Sequence, residues 1–174
     1  MVRWISLVIV AGCCLSGDLV ADEATKISSL QGKVEVTFDV HGIPHIFADS
    51  WADAARVIGW LHVQERLVQM EFNRRVARGD LAELVGADGV EPDKLARRLG
   101  IKPSSQELWD SNTIPNEMKT EMLAYAEGVN EAYEQVRATG LPVMAKLLGL
   151  DPKPWHPVDS LCFNKYMGWD QGGT

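Results

Sequence analysis

The chain has 174 residues, 46% of them hydrophobic and 24% charged, with a formal net charge of −7. That balance is what one ordinary folded domain requires, and it excludes the disordered and membrane-embedded classes. The acidic excess argues against a nucleic-acid partner, because phosphate contacts need a basic face. The cysteines, Cys13, Cys14 and Cys162, offer neither a disulfide framework nor metal-ligand spacing.

Arg3 precedes an apolar run from Trp4 to Ala11. This is the pattern of a secretory leader, far short of the ~20 residues that span a bilayer. Val10-Ala11-Gly12-Cys13 resembles the lipobox of bacterial lipoproteins. It predicts removal of residues 1–12, lipidation of Cys13 and attachment to a membrane surface facing the periplasm or the exterior. A rival cleavage site follows Ala21, where Leu19 is bulky for ordinary signal peptidase. Residues 13–32 are small and polar without a sustained period, so they read as a tether, with the folded segment expected over 33–174.

From Lys33 the residues alternate, with Val34, Val36, Phe38 and Val40 on one side, which predicts a half-buried strand. His41-Gly42-Ile43-Pro44 carries turn chemistry, and a second strand over His45 to Ala48 is expected to pair back. Asp49-Ser50 offers an N-cap to a helix from Trp51 to about Arg78. Ala54, Ile58, Leu61, Val68, Phe72 and Val76 form one apolar stripe on it and Val63, Leu67 and Met70 a second, so it is expected to bury against two partners. Glu65 falls on the first stripe, where a partly buried carboxylate needs a cation such as Arg66 or Arg75, or amide donors. A pairing role fits it better than a catalytic one.

Gly79, Gly86 and Gly89 break the next stretch, with a helical turn or two around Leu95 to Leu99. Pro115 opens a helix to about Ala138 that turns Met118, Met122, Ala126, Val129, Tyr133 and Val136 inward and stops at Gly140. A short helix over Val143 to Leu148 and a proline-rich turn lead to a last helix, Val158 to Trp169, which unravels at Gly172-Gly173. Cys162 lies in it as a small buried hydrophobe.

The residues alone disclose no catalytic constellation. His41, His45, His62 and His156 give no paired ligand spacing within a helix, and His41 and His45 are placed to hydrogen-bond the hairpin turn. Gly86-Ala87-Asp88-Gly89 lacks the lysine of a phosphate loop, and there is no G-x-S-x-G elbow. Trp51, Trp60, Trp155 and Trp169 stand where helices begin or meet turns, and packing accounts for them.

Five segments in order carry a resemblance: VEVTFDVHGIPHIFADSWADAARVIGWLHVQERLVQMEFNRRVARGDLAELVG, DGVEPDKLARRLGI, AYAEGVNEAY, LLGLDPKPWHPVDSL and KYMGWDQGG. Together, from about Val34 to Gly173, they resemble the α-chain region of the penicillin acylase family of N-terminal-nucleophile hydrolases. The resemblance implies an amidase made as a precursor that cuts itself into an α and a β chain. Its substrates would be small N-acyl amides, penicillin-like or acyl-homoserine-lactone-like. The freed first residue of the β chain, normally serine, would supply nucleophile and base, so no catalytic residue and no metal ligand is expected in this chain. The carboxylate that holds calcium in the best-known members would lie beyond Thr174, which leaves Ca2+ to the complete enzyme.

The implied fold class is α+β. The complete protein would stack two antiparallel sheets between helical layers, the αββα arrangement, to which this segment gives an N-terminal β-hairpin and mainly helices. The family's acyl-pocket positions carry over onto Gly168, Trp169, Gln171 and Gly172. These are smaller or uncharged where phenylacetyl-cleaving members have bulkier or cationic residues, which points to a larger or aliphatic pocket. Met167 and Trp169 serve helix packing equally well. The other reading is a catalytically inactive exported lipoprotein that keeps the acylase scaffold as a binding or structural module.

Overall fold

The computed structural model describes residues 8–12 and 27–172. Its sheet has the order β1-β2-β3: Val8–Gly12 (β1) runs parallel to Val34–Phe38 (β2), which pairs antiparallel with Pro44–Ala48 (β3). β1 comes from the apolar run expected as leader, so the hairpin carries a third strand.

Val34 and Val36 are buried as the alternation requires, but Val40 is 77% exposed because the strand has already ended. The chain turns at Asp39, whose carboxylate accepts from the backbone N–H of His41 at 2.8 Å and of Ile43 at 2.9 Å. These bonds, that from Ile43 first, hold the Asp39 carboxyl below its usual range, and His45 Nε2 lies 3.6 Å away. The two histidines thus flank the turn, as expected.

The packed body begins earlier than Lys33. Ile27 and Leu30 are buried with Val34, Val36, Val57 and Leu61. The intervening strap is held by carboxylates: Ser28 and Ser29 hydroxyls donate to Glu131 at 2.9 Å, and the N–H groups of Gln31 and Gly32 donate to Asp53 at 3.1 and 2.9 Å. Spaced apolar residues in a polar stretch escaped the tether reading because so short a segment shows no period.

The long helix α1 runs Trp51–Arg78, capped by the Ser50 side chain, which accepts from Asp53 N at 3.1 Å, and ended by Gly79 at φ 75°. The second expected stripe, Val63, Leu67 and Met70, is buried, as is Leu61 of the first, but Ile58 and Phe72 of the first are exposed, and the buried face also holds Ala77 and the charged Asp53, Arg56, Glu71 and Arg74. Glu65, expected on a buried stripe, is exposed. The helix breaks phase at Arg66, which has non-helical angles of φ −137° and ψ 19°, so one period cannot be carried across it.

Beyond α1 come α2 (Ala82–Val85), a 3-10 turn at Gly86–Gly89, α3 (Val90–Arg98) and α4 (Ile101–Asp110). α4 was not foreseen, although Pro103 in its first turn is a start signal. Asp93 takes the N–H groups of Leu81 and Ala82 at 2.6 and 2.8 Å and so anchors α3 beneath the start of α2. Then follow α5 (Asn116–Thr139), α6 (Val143–Leu147) and α7 (Pro157–Gly172). α7 starts on a reciprocal cap: His156 N donates to Asp159 at 2.9 Å, and Val158 N donates to His156 Nδ1 at 3.2 Å.

α1 and α5 touch backbone to backbone. A Cβ added at Gly128 would lie 1.9 Å from the Arg56 carbonyl oxygen, and one at Gly59 would lie 2.3 Å from that of Tyr125. Val63, Leu67, Met70, Val129, Tyr133 and Trp155 form the main core beside this crossing, and Trp60 joins it to the cluster under the sheet. A third cluster holds Ala77, Ala96, Ile101, Val158 and Cys162. The fold class is α+β, mainly helical with an N-terminal hairpin, as expected. No helix among the described residues is long and apolar enough to cross a membrane.

Candidate functional site

Charged residues inside the helical body come first, because they fix what surrounds the site. Glu71 is fully buried. Its carboxylate accepts from Tyr133 Oη at 2.8 Å, from Arg74 at 2.8 Å and from Arg75. Burial, and then the charge of Glu71, push the Tyr133 phenol well above its ordinary range, so it remains a donor. Arg74 also donates to the Lys153 carbonyl at 3.0 Å and lies 5.4 Å from the Trp155 ring centroid. Asp159, buried at the start of α7, stands 3.8 Å from Arg74 and accepts from Arg78. Burial is the largest single influence on Arg78 and opposes its charge, but the hydrogen bonds and charges of Asp159 and Asp80 together outweigh it and raise the pKa. Each charge is therefore compensated, and the network ties α1, α5 and the proline turn to α7.

The same three helices bound an open cleft of about 550 Å³. α1 contributes Ala55, His62, Met70, Asn73 and Arg74; α5 contributes Met118, Glu121, Met122 and Tyr125; α7 and the turn before it contribute Trp155, Ser160, Leu161, Phe163 and Asn164. This is the size at which pockets hold ligands or partner side chains, roughly 300–1,000 Å³. Met118 and Met122, expected inward, are 51% exposed and half-buried. They line this cleft, which the described residues leave open.

His62 Nδ1 lies 3.0 Å from Tyr125 Oη, with the rings edge-on at 5.8 Å. Burial pushes the Tyr125 phenol up to about 12 and the His62 imidazole down. The phenol therefore donates and the neutral ring accepts at Nδ1. Ser160 Oγ accepts from Trp155 Nε1 at 3.0 Å. The base and the hydroxyl of the cleft are each committed to a different aromatic partner, so the arrangement favours holding an apolar group over activating a nucleophile.

The acyl-pocket candidates lie elsewhere. Gly168, Trp169, Gln171 and Gly172 occupy the last turns of α7, all exposed and none on the cleft wall. Trp169 is 42% exposed with its ring 6.2 Å from Tyr166, and a Cβ at Gly168 or Gly172 would meet nothing. The helix gathers them at one end without enclosing a site among the described residues. Cys13 lies outside the described residues. Among the described residues no three His, Cys, Asp or Glu side chains gather to hold a metal. Cys162 is buried, and burial raises its thiol pKa.

The cleft residues were missed singly, though a signal for them exists. Met118, Met122 and Tyr125 recur at helical spacing on α5, and Ser160, Leu161 and Asn164 do so on α7. Periodicity marks a face without telling whether the chain covers it.

Comparison with known proteins places this geometry. The profile of the penicillin amidase family matches residues 33–174. Penicillin acylase 2 proenzyme of Pseudomonas sp. strain SE83 is 40% identical over 160 residues, 92% of this chain and 19% of that protein. Acyl-homoserine lactone acylase QuiP of Pseudomonas syringae pv. tomato is 32% identical over 160 residues, 89% of this chain and 19% of its own length. The matched region thus spans about a fifth of these relatives. A thermostable penicillin G acylase from Alcaligenes faecalis superposes with a TM-score of 0.72 at 28% identity, covering 82% of this chain and 75% of that one. With the helical body matched in sequence and in shape, this chain belongs to the penicillin amidase family.

Proposed function

We propose that this chain is the α portion of an exported acylase precursor that hydrolyses the amide bond of small N-acyl compounds, penicillin-like or acyl-homoserine-lactone-like. The nucleophile would stand on a β chain cut from the same precursor. What supports this most is the 40% identity, over 92% of the chain, to a penicillin acylase proenzyme.

In this reading the hydroxyl oxygen of the β chain's first serine attacks the amide carbonyl carbon while that residue's own α-amine takes the proton. Oxyanion donors of the β chain stabilise the tetrahedral intermediate. The C–N bond then breaks, the proton passes to the departing amine, and water releases the acid from the acyl-enzyme. This chain by itself is inactive scaffolding: its His62 and Ser160 are tied to Tyr125 and Trp155 rather than to each other. Gly168, Trp169, Gln171 and Gly172 edge the acyl pocket, Cys13 carries the lipid that holds the protein to a membrane facing the periplasm or exterior, and any Ca2+ belongs to the complete enzyme.

The test is to produce a precursor carrying this chain, weigh its products by mass spectrometry and assay acid release from penicillin G and from a medium-chain N-acyl-homoserine lactone. Two chains, the second beginning with serine, and release of acid from at least one substrate are expected. An uncleaved polypeptide that hydrolyses neither contradicts the proposal.

A further inference from the structure

We infer that α6 is a membrane-contact face, which lies on an anionic lipid surface with Val143, Met144, Leu147 and Leu148 at the acyl boundary and Lys146 at the phosphates. This goes beyond the anchor proposed at Cys13, to which it adds a second and separate contact.

Burial carries the first argument. Val143 and Leu147 are 73% and 76% exposed, and Met144 and Leu148 are exposed with them. At i, i+1, i+4 and i+5 the four share one side of the helical turn. The opposite side is fixed. Ala145 is fully buried and Leu150 is buried too, both in the core cluster that holds Val136 and Trp155. Gly149, at φ 61°, turns the chain so that Leu150 N donates to the Ala145 carbonyl at 2.9 Å. The apolar side is therefore presented by a helix pinned from beneath, and a loop free to fold it away is not what carries it. Contiguous apolar surface held in water in this way marks a contact site.

Charge and size name the occupant. From Gln135 to Leu150 the sequence holds no acid and two bases, Arg137 and Lys146, in a chain of net charge −7. Arg137 is paired with Glu134, whereas the exposed Lys146 has no ion pair among the described residues. The acidic excess keeps the rest of the chain off an anionic bilayer, and this side meets it without repulsion. Area argues against a protein partner. A helix of five residues is about 7.5 Å long, too short to bury the ~800 Å² per side of a stable interface. A bilayer takes up a small apolar patch at its headgroup boundary.

The reach of the chain agrees. Ser28 and Ser29 are held by Glu131, which precedes the end of α5 at Thr139 by eight residues, about 12 Å of helix. Once residues 1–12 are removed, the thirteen residues from 14 to 26 reach up to ~45 Å, so an acyl chain on Cys13 and the apolar side of α6 can share one surface. A tether alone leaves the body free to turn, whereas a second contact fixes which side faces the lipid.

The experiment uses the complete protein from residue 13 onward with Cys13→Ser, so that no acyl chain is present. It reads co-flotation with vesicles of equal parts phosphatidylglycerol and phosphatidylethanolamine. Wild type should float, and Met144→Glu/Leu147→Glu should lower its partition coefficient at least about thirtyfold. Lys146→Ala should lower it about fivefold on these vesicles and leave it unchanged on phosphatidylcholine alone. Melting temperatures equal to wild type show that the variants fold, because the substituted side chains are exposed. A wild type that stays off the vesicles, or a double glutamate variant that floats as well as wild type, overturns the inference. So does a wild type that dimerises on size exclusion, ignores vesicles and becomes monomeric in Met144→Glu/Leu147→Glu, since the face then seats a second copy. An exported wild type whose Cys13 carries no acyl group by mass spectrometry counts against the anchor alone, because flotation is read without that group.

Discussion

The crossing of α1 with α5 and the cleft beside it are built by the same helices in opposite ways. At the crossing, charge is hidden and satisfied: Glu71 is fully buried yet bonded to Tyr133, Arg74 and Arg75, and Gly59 and Gly128 let the backbones meet. In the cleft, Met118 is exposed and the amides of Asn73 and Asn164 make no side-chain hydrogen bond among the described residues. A surface that shows methionines while the interior holds ions inverts the usual partition. The crossing is satisfied within the chain, whereas the cleft beside it leaves apolar surface open among the described residues.

The largest effects should come from the crossing. Glu71→Gln leaves Arg74 and Arg75 short of a counter-charge and should cost about 3–5 kcal/mol in denaturant unfolding, whereas Tyr133→Phe should cost ~1–3 kcal/mol. Gly128→Ala drives a methyl into the Arg56 carbonyl, and a loss of about 3 kcal/mol is expected, visible as a lower melting temperature. Equal stability of wild type and Gly128→Ala would show that the helices do not meet as described. Asp93→Ala orphans the N–H groups of Leu81 and Ala82 and should cost ~2 kcal/mol, with faster hydrogen exchange confined to α2.

The cleft should respond more gently. Partial burial sets the His62 pKa below its ordinary 6.5, so the neutral ring is the form the fold prefers. The stability it contributes is fully present above about pH 6.5 and is lost as pH falls through the lower folded value. A melting temperature measured from pH 7 down to 5 should therefore fall more steeply for wild type than for His62→Gln. Smallest of all, Met118→Glu should change the stability of the chain alone by no more than ~0.5 kcal/mol.

Much of the fold was legible in the residues, for identifiable reasons. Ser50 as cap, the alternation of Val34 and Val36, and Gly140 after α5 are local signals, and each falls where the chain places it. The face of α1 was not legible, because Asp53, Arg56, Glu71 and Arg74 share its buried stripe and a search for apolar period passes over them. Glu65 lies next to the break at Arg66 and is exposed, and the buried carboxylates of the helix are Asp53 and Glu71. The strap at Ile27 and Leu30 is held by Glu131 and Asp53, partners distant in sequence that no local pattern announces. The cleft was half legible: the stripe on α5 is buried from Ala126 to Val136 as expected, but its first members, Met118 and Met122, are not, because periodicity reports a face and not what covers it.

Hydrogen exchange compared between the chain alone and the processed two-chain protein tests the contrast most directly. Slower exchange over 118–125 of α5 and 160–164 of α7 in the two-chain protein, with the buried crossing around Val129 and Tyr133 protected in both, is the predicted result. Equal exchange at the cleft helices in the two forms would contradict it.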